Sequence, residues 1–225
     1  VPVVANGDIT TPEKARDVMA RQHEQASGDP DVASEFARTL MVTNANDRAA
    51  EVLRKAIADS PMHAGVHLQL GRLLFRTGDK DRAITELQRA VQLDPSNQRT
   101  RLELVRVLLD KGTHEVVAEA KGLLETILGA YSRGDVPVEE READAYLFRG
   151  RLVFDKQGFG PALKDFEAAL TLAPSRIDIM VAAGRVLFEM ARYGDASNYF
   201  RQVLARDKGQ DLSKIVFACV KYYQA

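Results

Sequence analysis

A chain of 225 residues, 45% hydrophobic and 28% charged, can bury a sizeable core, and no apolar run in it approaches the roughly 20 residues that a membrane-spanning helix requires. With 31 basic and 32 acidic residues the net charge is −1, which gives no global attraction to nucleic acid or to an anionic membrane. The single cysteine, Cys219, excludes an internal disulfide, and the four histidines (His23, His63, His67, His114) have no metal-ligand spacing.

The opening VPVVANGDITT has neither a basic start nor a long apolar stretch, so no signal peptide is read in it. The chain begins at Val, so a leader or upstream domains could have been removed. A cytoplasmic location is expected, with the periplasm left open. Residues 13–26, EKARDVMARQHEQA, predict a helix in which Ala15 and Met19 fall in phase with the repeats described next. Residues 1–29 are therefore read as a capping helix or a truncated repeat.

From residue 33 the sequence copies itself. HLQLGRLLFRTGDKDRAITELQRAVQLDP (67–95) aligns without a gap on YLFRGRLVFDKQGFGPALKDFEAALTLAP (146–174). A shift of 34 residues from the latter gives MVAAGRVLFEMARYGDASNYFRQVLARDK (180–208), and a shift of 34 back from the former gives ASEFARTLMVTNANDRAAEVLRKAIADSP (33–61). Each copy reads as two helices. The second helix carries a small residue (Ala49, Ala83, Ala162, Ala196) four before a large one (Leu53, Leu87, Phe166, Phe200). That spacing lets two helices approach closely while the large side chain fills the gap beside them. Pro61, Pro95 and Pro174 stop three of the second helices, because proline cannot donate the next helical hydrogen bond.

The middle copy is irregular. Its first helix, RLELVRVLLDKG (101–112), is in phase, but its second, VVAEAKGLLETILGA (116–130), fits only if Ala120 takes the alanine place three residues late. The acidic DVPVEERE (135–142) then delays the next copy. It is read as a capped extension of the following helix, or else as an acidic flap or partner-contacting edge. The resulting repeats are 30–63, 64–97, 98–142, 143–176 and 177–210. Residues 211–225, DLSKIVFACVKYYQA, predict a helix that caps the array or begins a further repeat. This makes the chain a candidate fragment of a longer array.

Leu70-Gly71, Leu74, Ala83, Leu87, Ala90 and Pro95, recurring with this period, resemble the tetratricopeptide repeat. The tryptophan place of that signature holds His67 or Tyr146, and the chain has no Trp. The resemblance implies an all-α, right-handed α-solenoid of about five antiparallel helix pairs, whose first helices line a concave groove that receives a peptide or a partner's helix. It does not extend to the carboxylate-clamp members that bind chaperone tails: Ser34 and Leu68 stand at the Lys place, Arg38 and Arg72 at the Asn place.

On the first helix, His67, Gly71 and Leu74 form the stripe that packs on the second helix. A second stripe, about 100° further round, reads Leu68-Arg72-Phe75. In the other copies it reads Ser34-Arg38-Met41, Leu102-Arg106-Leu109, Leu147-Arg151-Phe154 and Val181-Arg185-Phe188, with arginine at the centre each time. The resemblance implies that this stripe faces the groove. Arg38, Met41, Leu68, Arg72, Phe75, Leu102, Arg106, Leu109, Leu147, Arg151, Phe154, Arg185 and Phe188 are therefore the candidate partner-binding residues. Guanidinium forks suit carboxylates, and the apolar residues suit aliphatic side chains between them. The competing reading makes the stripe structural. Asp110, Asp155 and Glu189 lie four residues after Arg106, Arg151 and Arg185, and such pairs can simply solvate a helix face.

No enzyme is read here. There is no phosphate-binding glycine loop and no G-x-S-x-G elbow, and Cys219 lies on an apolar helical face. No catalytic residue, cofactor or metal is expected. The expectation is a non-enzymatic protein–protein interaction module or scaffold whose ligand is a protein segment with acidic and apolar residues. The alternatives are a helical-repeat nucleic-acid binder using the arginine ladder and homo-oligomerisation through the C-terminal helix.

Overall fold

The computed structural model describes residues 11–206 except Ser27, so the segment 211–225, Cys219 and the paired tyrosines 222–223 lie outside the described residues. Eleven α-helices and one 3-10 turn account for the regular structure among the described residues, with no strand. No helix among them is long and apolar enough to cross a membrane.

The chain divides into two compact units, Val1–Ala120 and Lys121–Ala225. The first unit contains α1 (Pro12–Gln25), α2 (Pro30–Val42), α3 (Asn46–Asp59), α4 (Ala64–Arg76), α5 (Lys80–Leu93) and α6 (Gln98–Lys111). The division falls inside α7 (His114–Arg133), and the second unit continues through the 3-10 turn Val138–Glu140 to α8 (Ala143–Phe154), α9 (Phe159–Leu172), α10 (Ile177–Glu189) and α11 (Tyr193–Arg206).

In the first unit α2 packs on α3 and α4 on α5; in the second α8 packs on α9 and α10 on α11. The alanines of the sequence pattern make this possible: Ala49, Ala83, Ala162 and Ala196 are buried, as are Leu53, Leu87, Phe166 and Phe200 beside them. The first helix contributes a small residue where the large one arrives. A methyl group added to Gly71 would stand 2.6 Å from Leu87 Cγ, and one added to Gly150 or Gly184 would stand 2.5 Å from Cε1 of Phe166 or Phe200. Glycine is thus required there by close approach, and it opens the same pentapeptide in three copies: GRLLF (71–75), GRLVF (150–154) and GRVLF (184–188). The helices α3, α5 and α9 end at Asp59, Leu93 and Leu172, two residues before Pro61, Pro95 and Pro174.

Starts and turns are equally local. Side chains of Asp29, His63, Asp79 and Asn97 accept hydrogen bonds from the first-turn amides of α2, α4, α5 and α6. The turn between the two helices of each repeat carries a residue in the left-handed region: Asn44, Gly78, Gly112, Gln157 and Ala191, with φ of 58°, 93°, 73°, 60° and 57°. Glycine meets that demand in only two copies. Replacing Ala191 with Gly is expected to raise stability by about 1 kcal/mol, read from the urea midpoint, because Cβ is strained in that region.

The acidic stretch 135–142 does not extend the following helix, which begins only at Ala143. Arg141 holds it back against the end of α7, donating from Nε to the Val136 carbonyl at 3.1 Å and from Nη2 to the Tyr131 carbonyl at 3.0 Å. The Tyr131 hydroxyl in turn accepts from the Glu142 amide at 3.0 Å.

At the start of the first unit, α1 packs on α2 through His23, whose ring centroid lies 5.2 Å from that of Phe36. Burial, then the charges of Lys55 and Arg48, lower the His23 pKa below its ordinary 6.5, against the opposing charge of Glu24. The folded state therefore holds fewer protons than the unfolded chain just below that value. Stability from this contact is complete above pH 6.5 and declines as the pH falls through and below it. Urea midpoints at neutral and mildly acidic pH should show a drop that His23→Phe reduces.

Candidate functional site

The arginines at the centre of the second stripe have different surroundings in the two units. In the first unit each has an acidic partner. Arg38 donates to Glu35 Oε2 from Nε at 3.0 Å and from Nη2 at 2.5 Å, one helical turn back on α2. Arg72 reaches into the next repeat and donates to Glu103 Oε1 from Nε at 3.0 Å and from Nη2 at 2.7 Å. Arg106 pairs with the other oxygen of Glu103 at 2.5 Å. Glu103, on α6, thus bridges two rungs and ties α4 to α6. Its side chain is 19% exposed, against 30% for Arg72 and 46% for Arg106, so the bridge sits at the edge of solvent.

The acids four residues downstream are not the partners. Asp110 is taken by Lys80 at 2.7 Å, and Lys111 reaches back to Asp81 at 2.5 Å, so these charges join α5 and α6. Arg76 closes the previous repeat, donating to the Met41 carbonyl at 2.7 Å and to the Asn44 side-chain oxygen.

The phenylalanine of the pentapeptide has a structural partner in each unit. The Arg106 guanidinium lies 5.3 Å from the centroid of Phe75, and the Arg185 guanidinium 5.4 Å from that of Phe154. In both cases the ring of one repeat is a platform for the arginine of the next, 31 residues on. Phe188 makes an edge contact with Tyr193, centroids 5.5 Å apart.

In the second unit Arg151 and Arg185 are exposed and make no hydrogen bond or ion pair among the described residues. With Phe154, Asp155, Phe166, Asp178, Val181 and Ala182 they line a pocket of about 350 Å³. Asp178 is already engaged. Arg176 donates to its two oxygens at 3.1 and 2.6 Å and reaches across to Asp144 on α8 at 2.5 Å. Burial pushes the Asp178 carboxyl pKa up, but the hydrogen bonds and charge of Arg176, with the charge of Arg151, hold it below the ordinary carboxylate value.

Not every residue of the predicted stripe lies at a surface. Met41, Leu102 and Leu147 are buried at 6%, 5% and 1% exposure and belong to the core, so they are corrected from contact residues to packing residues. The surface part of the stripe is therefore narrower than the spacing suggested. Leu68, Phe75, Leu109, Phe154 and Phe188 are half-buried, while Arg38, Arg106, Arg151 and Arg185 remain exposed. Glu103, Asp178 and Arg176 were not among the expected residues. An acid three residues before Arg38 and before Arg106 was the available signal for the first of them.

A second charge motif supports two of the helix pairs, α4–α5 and α8–α9, from within. Glu86 on α5 takes His67 Nδ1 at 2.7 Å, and the same place on α9, Asp165, takes Arg149 through Nε at 2.9 Å and Nη2 at 2.6 Å. The other His67 nitrogen, Nε2, donates to the Pro61 carbonyl at 3.0 Å, so the residue at the repeat's tryptophan place is pinned on both sides.

A tetratricopeptide-repeat family model matches residues 34–98. No curated protein sequence matches the chain significantly. Among solved structures, PilF of Pseudomonas aeruginosa superposes with a TM-score of 0.70 at 17% identity, over 95% of this chain and 86% of that one. TTC0263, a thermophilic tetratricopeptide-repeat protein of Thermus thermophilus, gives 0.64 at 18% identity, over 85% and 99%. YrrB, described as a tetratricopeptide-repeat protein with an unusual peptide-binding site, gives 0.60 at 15% identity, over 93% and 100%. Residues 34–98 thus match the tetratricopeptide-repeat family, and the described chain is built on the tetratricopeptide-repeat fold.

Proposed function

We propose that the chain is a non-enzymatic protein-binding module or scaffold whose first helices, in each unit, hold partner residues of acidic and apolar character. The observation that carries this reading is the arginine at one place on α2, α4, α6, α8 and α10, exposed in all but Arg72, which is half-exposed. Half-buried apolar side chains from the same helices stand beside these arginines. A guanidinium held on an aromatic ring loses less freedom on binding a carboxylate than a free one. The likeness to YrrB, a protein described by its peptide-binding site, supports the same class of ligand.

The test is selection from a displayed random-peptide library against the wild-type chain and against Arg72→Glu/Arg106→Glu/Arg151→Glu, both shown to be helical by circular dichroism. Peptides rich in Asp and Glu with interspersed aliphatic residues, enriched by the wild type alone, are expected. Equal enrichment by both proteins would contradict the reading and leave the arginines as structural groups.

A further inference from the structure

The arginine ladder is uneven, and the unevenness points to where a partner's acid is read. Resting on the function proposed above, we propose that the Arg151–Arg185 pocket takes a side-chain carboxylate of the partner segment, with the adjoining aliphatic side chain on Phe154, Val181 and Ala182.

Three observations carry this. The first is charge. In the first unit Glu35 and Glu103 already occupy Arg38, Arg72 and Arg106, so an incoming carboxylate there must displace one that the chain supplies. Arg151 and Arg185 have no such acceptor among the described residues. Of the two acids in the pocket wall, Asp178 is held by two hydrogen bonds from Arg176, and Asp155 is exposed just past the end of α8. The second is orientation. The Phe154 ring lies 5.4 Å from the Arg185 guanidinium, which favours a ligand at its N–H edge, the geometry for a carboxylate. The third is space. The pocket measures about 350 Å³ and has an apolar floor, within the range of about 300–1,000 Å³ usual for ligand sites.

The acid is read by charge as well as by hydrogen bonding, so a carboxamide of the same shape should be rejected. Fluorescence anisotropy at low ionic strength compares two fluorescein-labelled hexapeptides, Glu-Leu-Glu-Leu-Glu-Leu and its Gln-Leu counterpart. The wild type is expected to bind the Glu peptide at least about ten-fold more tightly, since a charge-assisted hydrogen bond is roughly twice as strong as a neutral one. In Arg151→Gln/Arg185→Gln the preference is expected to collapse to less than about two-fold, while Arg54→Gln, at an exposed arginine on α3, retains it. Equal binding of the two peptides, no binding of either, or a preference that survives the double variant would each overturn the proposal. A surviving preference whose amide shifts still fall on the first helices would leave the wider binding function standing and move acid reading to another rung.

Discussion

Replacing Gly150 with Ala is expected to lower stability by about 1–2 kcal/mol, although the same change in an unpacked helix raises it by about 1. The added methyl would sit 2.5 Å from Cε1 and 2.9 Å from Cδ1 of Phe166, a ring that is 1% exposed. The corresponding place in the first repeat carries Ala37, fully buried, and there the facing side chain is Leu53 instead of Phe. Size on the first helix is therefore matched by size on the second. Gly71→Ala, facing the more adaptable Leu87, should cost less than Gly150→Ala. Combining Gly150→Ala with Phe166→Leu, which recreates the Ala and Leu of the first repeat, should cost clearly less than the sum of the two single changes. Urea unfolding of the four proteins reads this directly, and strict additivity would show that the glycine answers some other constraint.

Arg149→Met is expected to cost about 2 kcal/mol while preserving the packing of the stem. Asp165 is 6% exposed, and both of its oxygens are taken by Arg149. Removing the guanidinium leaves a carboxylate under the α8–α9 contact with no counter-charge, which costs more than the pair itself contributes. The figure is set below that of a fully buried pair because the Arg149 side chain is 43% exposed. The matched change Asp165→Leu in the Arg149→Met background should recover most of the loss, since two apolar groups leave nothing unsatisfied. A double variant no more stable than Arg149→Met alone would show that the pair contributes shape and not charge balance.

The packing side of this fold is legible in the sequence because it is periodic. Ala49, Ala83, Ala162 and Ala196 recur at one place, and the large residues four positions on identify the buried face before any coordinates exist. The prolines mark where the second helices stop. The arginine places are legible for the same reason. Their partners are not, because pairing here runs between repeats. Glu103 meets Arg72 across 31 residues, and Phe75 and Phe154 meet Arg106 and Arg185 at the same separation. The i,i+4 acids offered a nearer explanation, but Lys80 takes Asp110 out of that arrangement. Burial of Met41, Leu102 and Leu147 depends likewise on what covers one edge of the stripe, which helical spacing alone does not specify. Gln157 and Ala191 show a further limit: a left-handed turn is readable where glycine stands, as at Gly78 and Gly112, and not where another residue is forced into it.

The central claim is that this chain binds a protein segment on its first helices, and the direct measurement is a backbone amide chemical-shift map of the labelled protein titrated with a library-selected acidic peptide. Shifts are expected to concentrate on α2, α4, α6, α8 and α10 around Arg38, Arg72, Arg106, Arg151 and Arg185, with the largest near Val181 and Ala182. Shifts confined to α3, α5, α9 and α11, with the first helices silent, would contradict it.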